Sequence, residues 1–262
     1  MSHRARKRFG QNFLVDTHVI HQIVSAISPQ NNQKFVEIGP GKGALTELLL
    51  ETLDSLDVIE LDRDLIPILE NRFPKKLKIH QADVLKFDFS TIINEPNLIR
   101  VVGNLPYNIS TPLLFHLLHF SNAIFDMHFM LQKEVVERIA SPINEKSYGR
   151  LSVIMQYYFN VEQLFNVKPS SFKPAPKVDS AIIRLIPYKN KPIEADDEST
   201  FQEMVKLCFT QRRKTLRNNL KQTLTDEQIE KLNIDSSARA ETLSIFDFVQ
   251  LSNDVAKIRN ES

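Results

Sequence analysis

Glycine is scarce in this chain, six in 262 residues, yet three of the six fall at Gly39, Gly41 and Gly43. They follow a run at 34–38 (Lys-Phe-Val-Glu-Ile) that reads as a strand, and they precede a helical run at 44–53. Glycine permits a tight turn and lets a ligand approach the backbone closely. Strand, glycine turn and helix in that order point to a parallel sheet with a nucleotide-type pocket at the turn. The spacing Gly-x-Gly-x-Gly departs from the dinucleotide fingerprint. Lys42 is followed by Gly43, not by Ser or Thr, which argues against a phosphate-binding P-loop.

The pattern continues in the same sense. Residues 56–61, 77–80, 98–102 and 125–131 read as further strands, and 64–72, 111–119 and 133–139 as helices. Pro112 suits a first helical turn, where a missing N–H costs nothing. Such alternation predicts a mostly parallel sheet covered on both faces. After 151–159 the rhythm changes. Residues 161–167 and 178–187 read as paired strands flanking the loop 168–177, which holds Pro169, Pro174 and Pro176. A polar, acidic linker at 187–199 leads to amphipathic helical runs near 201–222, 226–232 and 245–258. The expected organisation is α/β: a Rossmann-like domain over 1–190, preceded by a basic arm, and a small all-helical domain over 191–262.

Two acids complete the expected pocket. Glu60 ends the second strand, 21 positions after Gly39, where a carboxylate binds a ribose diol. Asp83 follows the third strand, where a carboxylate can accept from an adenine amine. Taken singly, each acid is equally a solvated strand-end residue. After the fourth strand comes Asn104-Leu105-Pro106-Tyr107. Alone it is equally a polar turn. Beside a donor pocket it becomes a grip for a base. The Asn104 side-chain oxygen and the Leu105 carbonyl accept two N–H bonds from an exocyclic amine, Pro106 stiffens the turn, and Tyr107 stacks on the ring. The combination resembles methyltransferases that use S-adenosylmethionine, and the tetrapeptide matches the (Asn/Asp)-x-Pro-aromatic motif of those acting on amino nitrogens of bases. The sheet is then expected to be of the Rossmann-like methyltransferase type.

Net charge is only +1, but the charges are segregated. Arg4, Arg6, Lys7 and Arg8 crowd the first ten residues without an acid. Lys206, Arg212, Arg213, Lys214, Arg217 and Lys221 do the same over 206–222, with the four from Arg212 to Arg217 expected on one helix. Segregation makes a phosphate-binding footprint, or else two solvated basic segments. Cys208, the single cysteine, excludes an internal disulfide and fits a reducing compartment. No long apolar run suggests a membrane span or a secretory signal. The pairs His18/His21 and His116/His119 show too few converging ligands for a metal, and Glu60 with Asp62 and Asp64 is better explained by a ribose than by magnesium. No metal is therefore expected.

Five segments narrow the resemblance. They are Arg8–Leu14 (Arg-Phe-Gly-Gln-Asn-Phe-Leu), Gly103–Ser110, Leu131–Val135, Phe172–Ser180 and Gln211–Arg217, in this order. Together they resemble the bacterial small-subunit ribosomal RNA adenine dimethyltransferases, the family whose loss confers kasugamycin resistance, from Arg6 to the C-terminal helices. The resemblance implies dimethylation of N6 on two adjacent adenosines in a hairpin near the 3′ end of the small-subunit RNA. It implies S-adenosylmethionine as methyl donor and S-adenosylhomocysteine as product. It also implies contacts to donor or base from Asn12, Leu14, Gly39, Glu60, Asp83 and Asn104, with Gly41 in the same turn, and a stack of the target adenine between Tyr107 and Phe172. The expected partner is an assembling small (30S) subunit, met by a cytoplasmic monomer through Arg4, Arg6, Lys7, Arg8, Arg212, Arg213, Lys214 and Arg217. Two other readings stay open. One is a large-subunit ribosomal RNA adenine methyltransferase of the antibiotic-resistance type. The other is an RNA-binding assembly factor that has lost catalysis.

Overall fold

The computed structural model describes residues 11–93 and 98–261. It divides into two compact units, residues 1–136 with 162–187, and residues 137–161 with 188–262. The expected boundary near 190 falls close to the second crossing. Residues 137–161, however, group with the C-terminal helices, so the first unit is interrupted in sequence.

In the first unit, strands β2 (Lys34–Ile38), β3 (Leu56–Glu60), β4 (Leu77–Gln81), β5 (Ile99–Asn104) and β6 (Ile124–Gln132) alternate with helices α2 (Ala44–Leu49), α3 (Ile66–Arg72) and α4 (Ser110–Leu118). With β7 (Phe159–Val167) and β9 (Ser180–Pro187) the strands form a seven-stranded sheet in the order β4-β3-β2-β5-β6-β9-β7. Pairs β2–β3, β3–β4, β2–β5 and β5–β6 are parallel, and β6–β9 is antiparallel. The α/β expectation holds, including the late strands that finish the sheet. Strand order reverses direction between β2 and β5, so their carboxyl ends form the crevice where such sheets bind ligands. Gly39 and Asn104 stand at those two ends.

Helix α1 (Thr17–Ile27) had no counterpart among the expected elements. Asp16 caps it, accepting from the N–H groups of His18 (3.1 Å) and Val19 (3.3 Å). Ser171 Oγ donates to the same carboxylate at 2.9 Å and, as the largest cause, lowers its pKa. The apolar face Val19, Ile20, Ile23 and Ile27 is buried in one core cluster with Phe35, Val58, Val102 and Ile182. The other end of α1 is held by Arg100, a charged residue within the apolar run of β5. Its guanidinium is buried, donates to the Ile27 carbonyl at 2.7 Å, and pairs in bidentate fashion with Asp126 at 2.8 and 2.7 Å. A cation among helix C-terminal carbonyls is favourably placed, and the carboxylate neutralises it.

The second unit contains α6 (Arg150–Tyr158), α7 (Glu198–Cys208), α8 (Leu216–Leu220), α9 (Asp226–Lys231) and α10 (Ile245–Glu261), with α10 packed on α7 and α6. Helix α5 (Lys133–Ile139) leads into it. Cys208 is buried, and burial pushes its thiol up to about 12, so it behaves as a small core residue. The single helix expected over 201–222 is broken. Residues 209–215 form a turn, because tertiary partners compete for the backbone. The N–H groups of Leu216 and Arg217 donate to the carbonyls of Ala238 (2.8 Å) and Ser236 (2.9 Å), and Asn219 Nδ2 donates to the Cys208 carbonyl (2.8 Å).

Candidate active site

The crevice is a cavity of about 370 Å³ within the first unit, of a size that suits a nucleoside-like ligand. Its donor side begins at the glycine turn, where Gly39, Gly41 and Gly43 all have positive φ. At Gly41, with φ 59°, a Cβ would also lie 3.1 Å from the Phe13 ring, so a side chain would be both strained and crowded. Phe13 belongs to a two-residue strand, β1 (Phe13–Leu14), paired antiparallel with β8 (Phe172–Lys173).

Glu60 lines the cavity and is largely buried. One carboxylate oxygen accepts the Asp62 N–H at 2.8 Å, the other the Gly41 N–H at 3.3 Å. The acid therefore ties the end of β3 to the glycine turn of β2. Burial raises its pKa, and the backbone donors of Asp62, Gly41 and Leu61 partly oppose that shift. Asp83 also lines the cavity and turns its own loop by accepting the Leu85 N–H at 3.1 Å. Asn104, Leu105, Pro106 and Tyr107 line the acceptor side. Asn104 Nδ2 donates to the Asn12 carbonyl at 3.0 Å, which turns Oδ1 the other way as an acceptor. The Leu105 N–H donates to the Met130 carbonyl at 3.1 Å, and the Pro106 carbonyl accepts from the Ile109 N–H and Ser110 Oγ, both at 3.1 Å. The turn is thus held at both ends, and Tyr107 is half-buried.

Of the residues expected here, Asn12, Leu14, Gly39, Gly41, Glu60, Asp83 and Asn104 through Tyr107 all line this one cavity. Phe172 does not. Its side chain is 3% exposed and belongs to the core cluster with Leu14, Ile20 and Ile23. The β1–β8 pairing explains this, because Phe172 lies opposite Leu14. The basic cluster needs a second correction. Arg212, Arg213 and Lys214 lie on the turn after α7, and only Arg217 is helical. Arg212 is tied to Glu241 at 3.3 Å, and it donates to the carbonyls of Lys146 and, at 3.3 Å, Tyr148. Arg217 pairs with Asp226 at 2.9 Å. Arg4, Arg6, Lys7 and Arg8 lie outside the described residues.

Sequence reasoning passed over three lining residues. Glu37 is buried and accepts from Thr46 Oγ1 at 2.6 Å; burial, first, and the Glu60 charge push its carboxyl up to about 7. Its signal was available, as the acid directly before Ile38-Gly39. Leu61, half-exposed beside Glu60, offers an apolar wall. His128 is buried, neither ring nitrogen has a hydrogen-bond partner among the described residues though Nδ1 lies 3.7 Å from the Asp126 carboxylate, and burial pushes its pKa down to about 4. Nothing in the sequence marked it.

The profile of a family described as ribosomal RNA adenine dimethylase matches residues 2–257. The chain is 56% identical over 258 residues to a ribosomal RNA small subunit methyltransferase A from Marinomonas sp. (strain MWYL1), covering 97% of each. It is 54% identical to the protein of the same name from Pseudomonas aeruginosa, covering 98% of this chain and 96% of that one. Among solved structures, a dimethyladenosine transferase from Plasmodium falciparum matches with a TM-score of 0.76 at 25% identity, over 91% of this chain and 95% of that one. The 23S rRNA methyltransferase ErmE matches with a TM-score of 0.72 at 24% identity, over 94% of this chain and 100% of that one, a likeness of fold alone.

Proposed function

The chain belongs to the ribosomal RNA adenine dimethylase family, and on that premise we propose that it methylates N6 of two adjacent adenosines in the 3′-terminal hairpin of small-subunit (16S) ribosomal RNA, giving N6,N6-dimethyladenosines. The observation that carries this reading is the Asn104 amide. Its Nδ2 is taken by the Asn12 carbonyl, so its oxygen is the group that would accept from an incoming amine at the end of β5.

The residues fit S-adenosylmethionine. Glu60 keeps acceptor capacity for a ribose diol beyond its backbone donors. Asp83 lines the same cavity and would accept from an adenine amine, and the glycine turn leaves room for a ligand against the backbone. When bound, S-adenosylmethionine supplies an electrophilic methyl on a sulfonium and leaves as S-adenosylhomocysteine. The chain's own work is positional. An aryl amine is a poor nucleophile because its lone pair is shared with the ring. Asn104 Oδ1 and the Leu105 carbonyl would hold both N–H groups, turn the lone pair toward the methyl, and stabilise the positive charge that develops on nitrogen. No strong base is required, since the amine becomes acidic only after transfer, and no metal is assigned a role. Positioning of this kind is worth about 7–11 kcal/mol.

A paired adenine cannot reach such a pocket, so the base must be extruded or come from a loop, with Tyr107 as its stacking surface. The basic turn 212–214 and Arg217 supply phosphate contacts from the second unit, and the N-terminal arm would add to them. We assign the assembling 30S subunit as partner and a cytoplasmic monomer as the acting form. Among the described residues no helix is long and apolar enough to cross a membrane. The small-subunit assignment draws on the named relatives, which match nearly the whole chain, whereas ErmE shares the fold only. The deciding experiment is transfer of tritiated methyl to purified undermethylated small and large subunits, followed by mapping of the base. Label on two adjacent adenosines of the small subunit is expected; label confined to the large subunit, or none, overturns the reading.

A further inference from the structure

Tyr107 and Ser180 belong to different motifs, yet their hydroxyls meet at 2.8 Å. Ser180 opens β9 opposite Gln132 of β6 and is fully buried. Next to it, the Asp179 carbonyl accepts the Lys133 N–H at 3.0 Å, so the backbone beneath Ser180 is fixed on both sides. The turn that carries Tyr107 is held two residues earlier, where the Leu105 N–H is bonded to Met130 of the same strand β6. The ring therefore spans two anchors on the central sheet. A swivel about its Cα–Cβ bond breaks the hydroxyl pair. Burial also raises the phenol's pKa, which keeps it a neutral hydroxyl able to share a proton with Ser180.

We propose that Ser180 is a positioning residue that holds the Tyr107 ring for stacking, and that this hydroxyl pair governs whether the second methyl is added. The inference rests on the reading that Asn104–Tyr107 grips an adenine amine. In the first round the amine carries two N–H groups, and Asn104 Oδ1 and the Leu105 carbonyl orient it through both. In the second round only one N–H remains, so one acceptor has no partner and the ring stack carries a larger share of the orientation. Each round forms one N6–C bond, breaks the donor's S–C bond and releases one N6 proton to water. A loosened ring is therefore tolerated in the first round and costly in the second.

Ser180→Ala and Tyr107→Phe remove the same bond from opposite sides while leaving the ring in place. Each is tested on undermethylated small subunits with excess S-adenosylmethionine, counting N6-monomethyl- and N6,N6-dimethyladenosine over time by mass spectrometry of digested nucleosides. The second-round rate constant is expected to fall about tenfold and the first about threefold or less, a range set by the loss of one neutral hydrogen bond. Monomethyladenosine then accumulates in both variants, and the double variant is no worse than either single one. A variant that is merely unstable lowers the active fraction and slows both rounds alike. An unchanged mono-to-dimethyl ratio, or an equal loss in both rounds, overturns the inference while dimethylation by the unsubstituted enzyme leaves the parent reading standing. Absence of dimethyladenosine with the unsubstituted enzyme overturns that reading, and this inference with it.

Discussion

Gly103 lies opposite Ile38 in the parallel β2–β5 pair, and a Cβ there would stand 2.6 Å from the Ile38 carbonyl oxygen. The obstacle is backbone, which cannot rotate away as a side chain can. Gly103→Ala should therefore part the two strands at the level where Gly39 and Asn104 face the cavity. Overpacking of this kind costs about 1–3 kcal/mol. The expected signs are a lower unfolding midpoint and a raised KM for S-adenosylmethionine; an unchanged midpoint would show that the strands yield freely. One residue further on, the consequence is chemical. Asn104→Ala removes one of the two acceptors on the amine, and loss of one preorganised partner lowers kcat by about 10²–10³-fold. RNA affinity, which the proposal assigns to the basic residues and not to Asn104, should change little. Filter binding beside single-turnover methylation separates the two, and equal losses in both would sink the assignment of Asn104. The strand-end residues Glu60, Asp83 and Asn104 were legible because strand position alone brings them to one edge. Ser180 and the Asn12 carbonyl were not, because their partners lie 73 and 92 positions away and only the fold joins them.

The segment after α7 shows the same limit at the scale of an element. Leu216 and Leu220 continue a helical spacing, and both are buried, so periodicity extends the helix to 222. The carbonyls of Ser236 and Ala238 take the first N–H groups of α8 instead, and the chain turns between 209 and 215. By contrast, β2, β3, β5 and β6 were legible as mostly apolar runs between turn residues, as largely buried strands are, whereas the edge strand β4 (Leu-Lys-Ile-His-Gln) was legible from its alternation. Phe172 shows a related limit: an aromatic in a proline-rich loop suggests an exposed ring, whereas β8 pairs with β1 and the side chain packs in the core cluster. The turn also divides the basic cluster by role. Arg213 and Lys214 are exposed, whereas Arg212 spends its guanidinium on Glu241 and two carbonyls. Arg213→Ala and Lys214→Ala should each weaken RNA binding and reduce the salt slope by about one, with little effect on the unfolding midpoint. Arg212→Ala should lower the midpoint as well. If all three variants shift the slope and midpoint alike, the turn does not separate these roles.

At the scale of the whole molecule, the first unit keeps two ionisable groups in one row of its sheet. Glu37 on β2 and His128 on β6 both lie level with Val102 of the strand between them. Their shifts have opposite consequences for stability. Glu37, buried beside Thr46 and Glu60, titrates at about 7 folded against 4.5 as its ordinary value. The folded state therefore holds the proton more tightly, and this contribution is present below 4.5 and lost as pH rises through about 7. His128, buried with Asp126, Arg100, Arg184 and Glu162 as its charged surroundings, titrates at about 4 against 6.5. There the unfolded state binds the proton more readily, so the contribution is present above 6.5 and lost as pH falls through about 4. Between 4.5 and 6.5 the two slopes oppose each other. Removing either one exposes the other. Relative to the unsubstituted protein, Glu37→Gln should gain stability with rising pH across that window, and His128→Gln should lose it, each by up to about 1.4 kcal/mol per pH unit. Urea midpoints of the three proteins near pH 5 and near pH 6 read the difference directly, and groups common to all three cancel. Parallel pH profiles for the three would mean that neither group changes its proton affinity on folding.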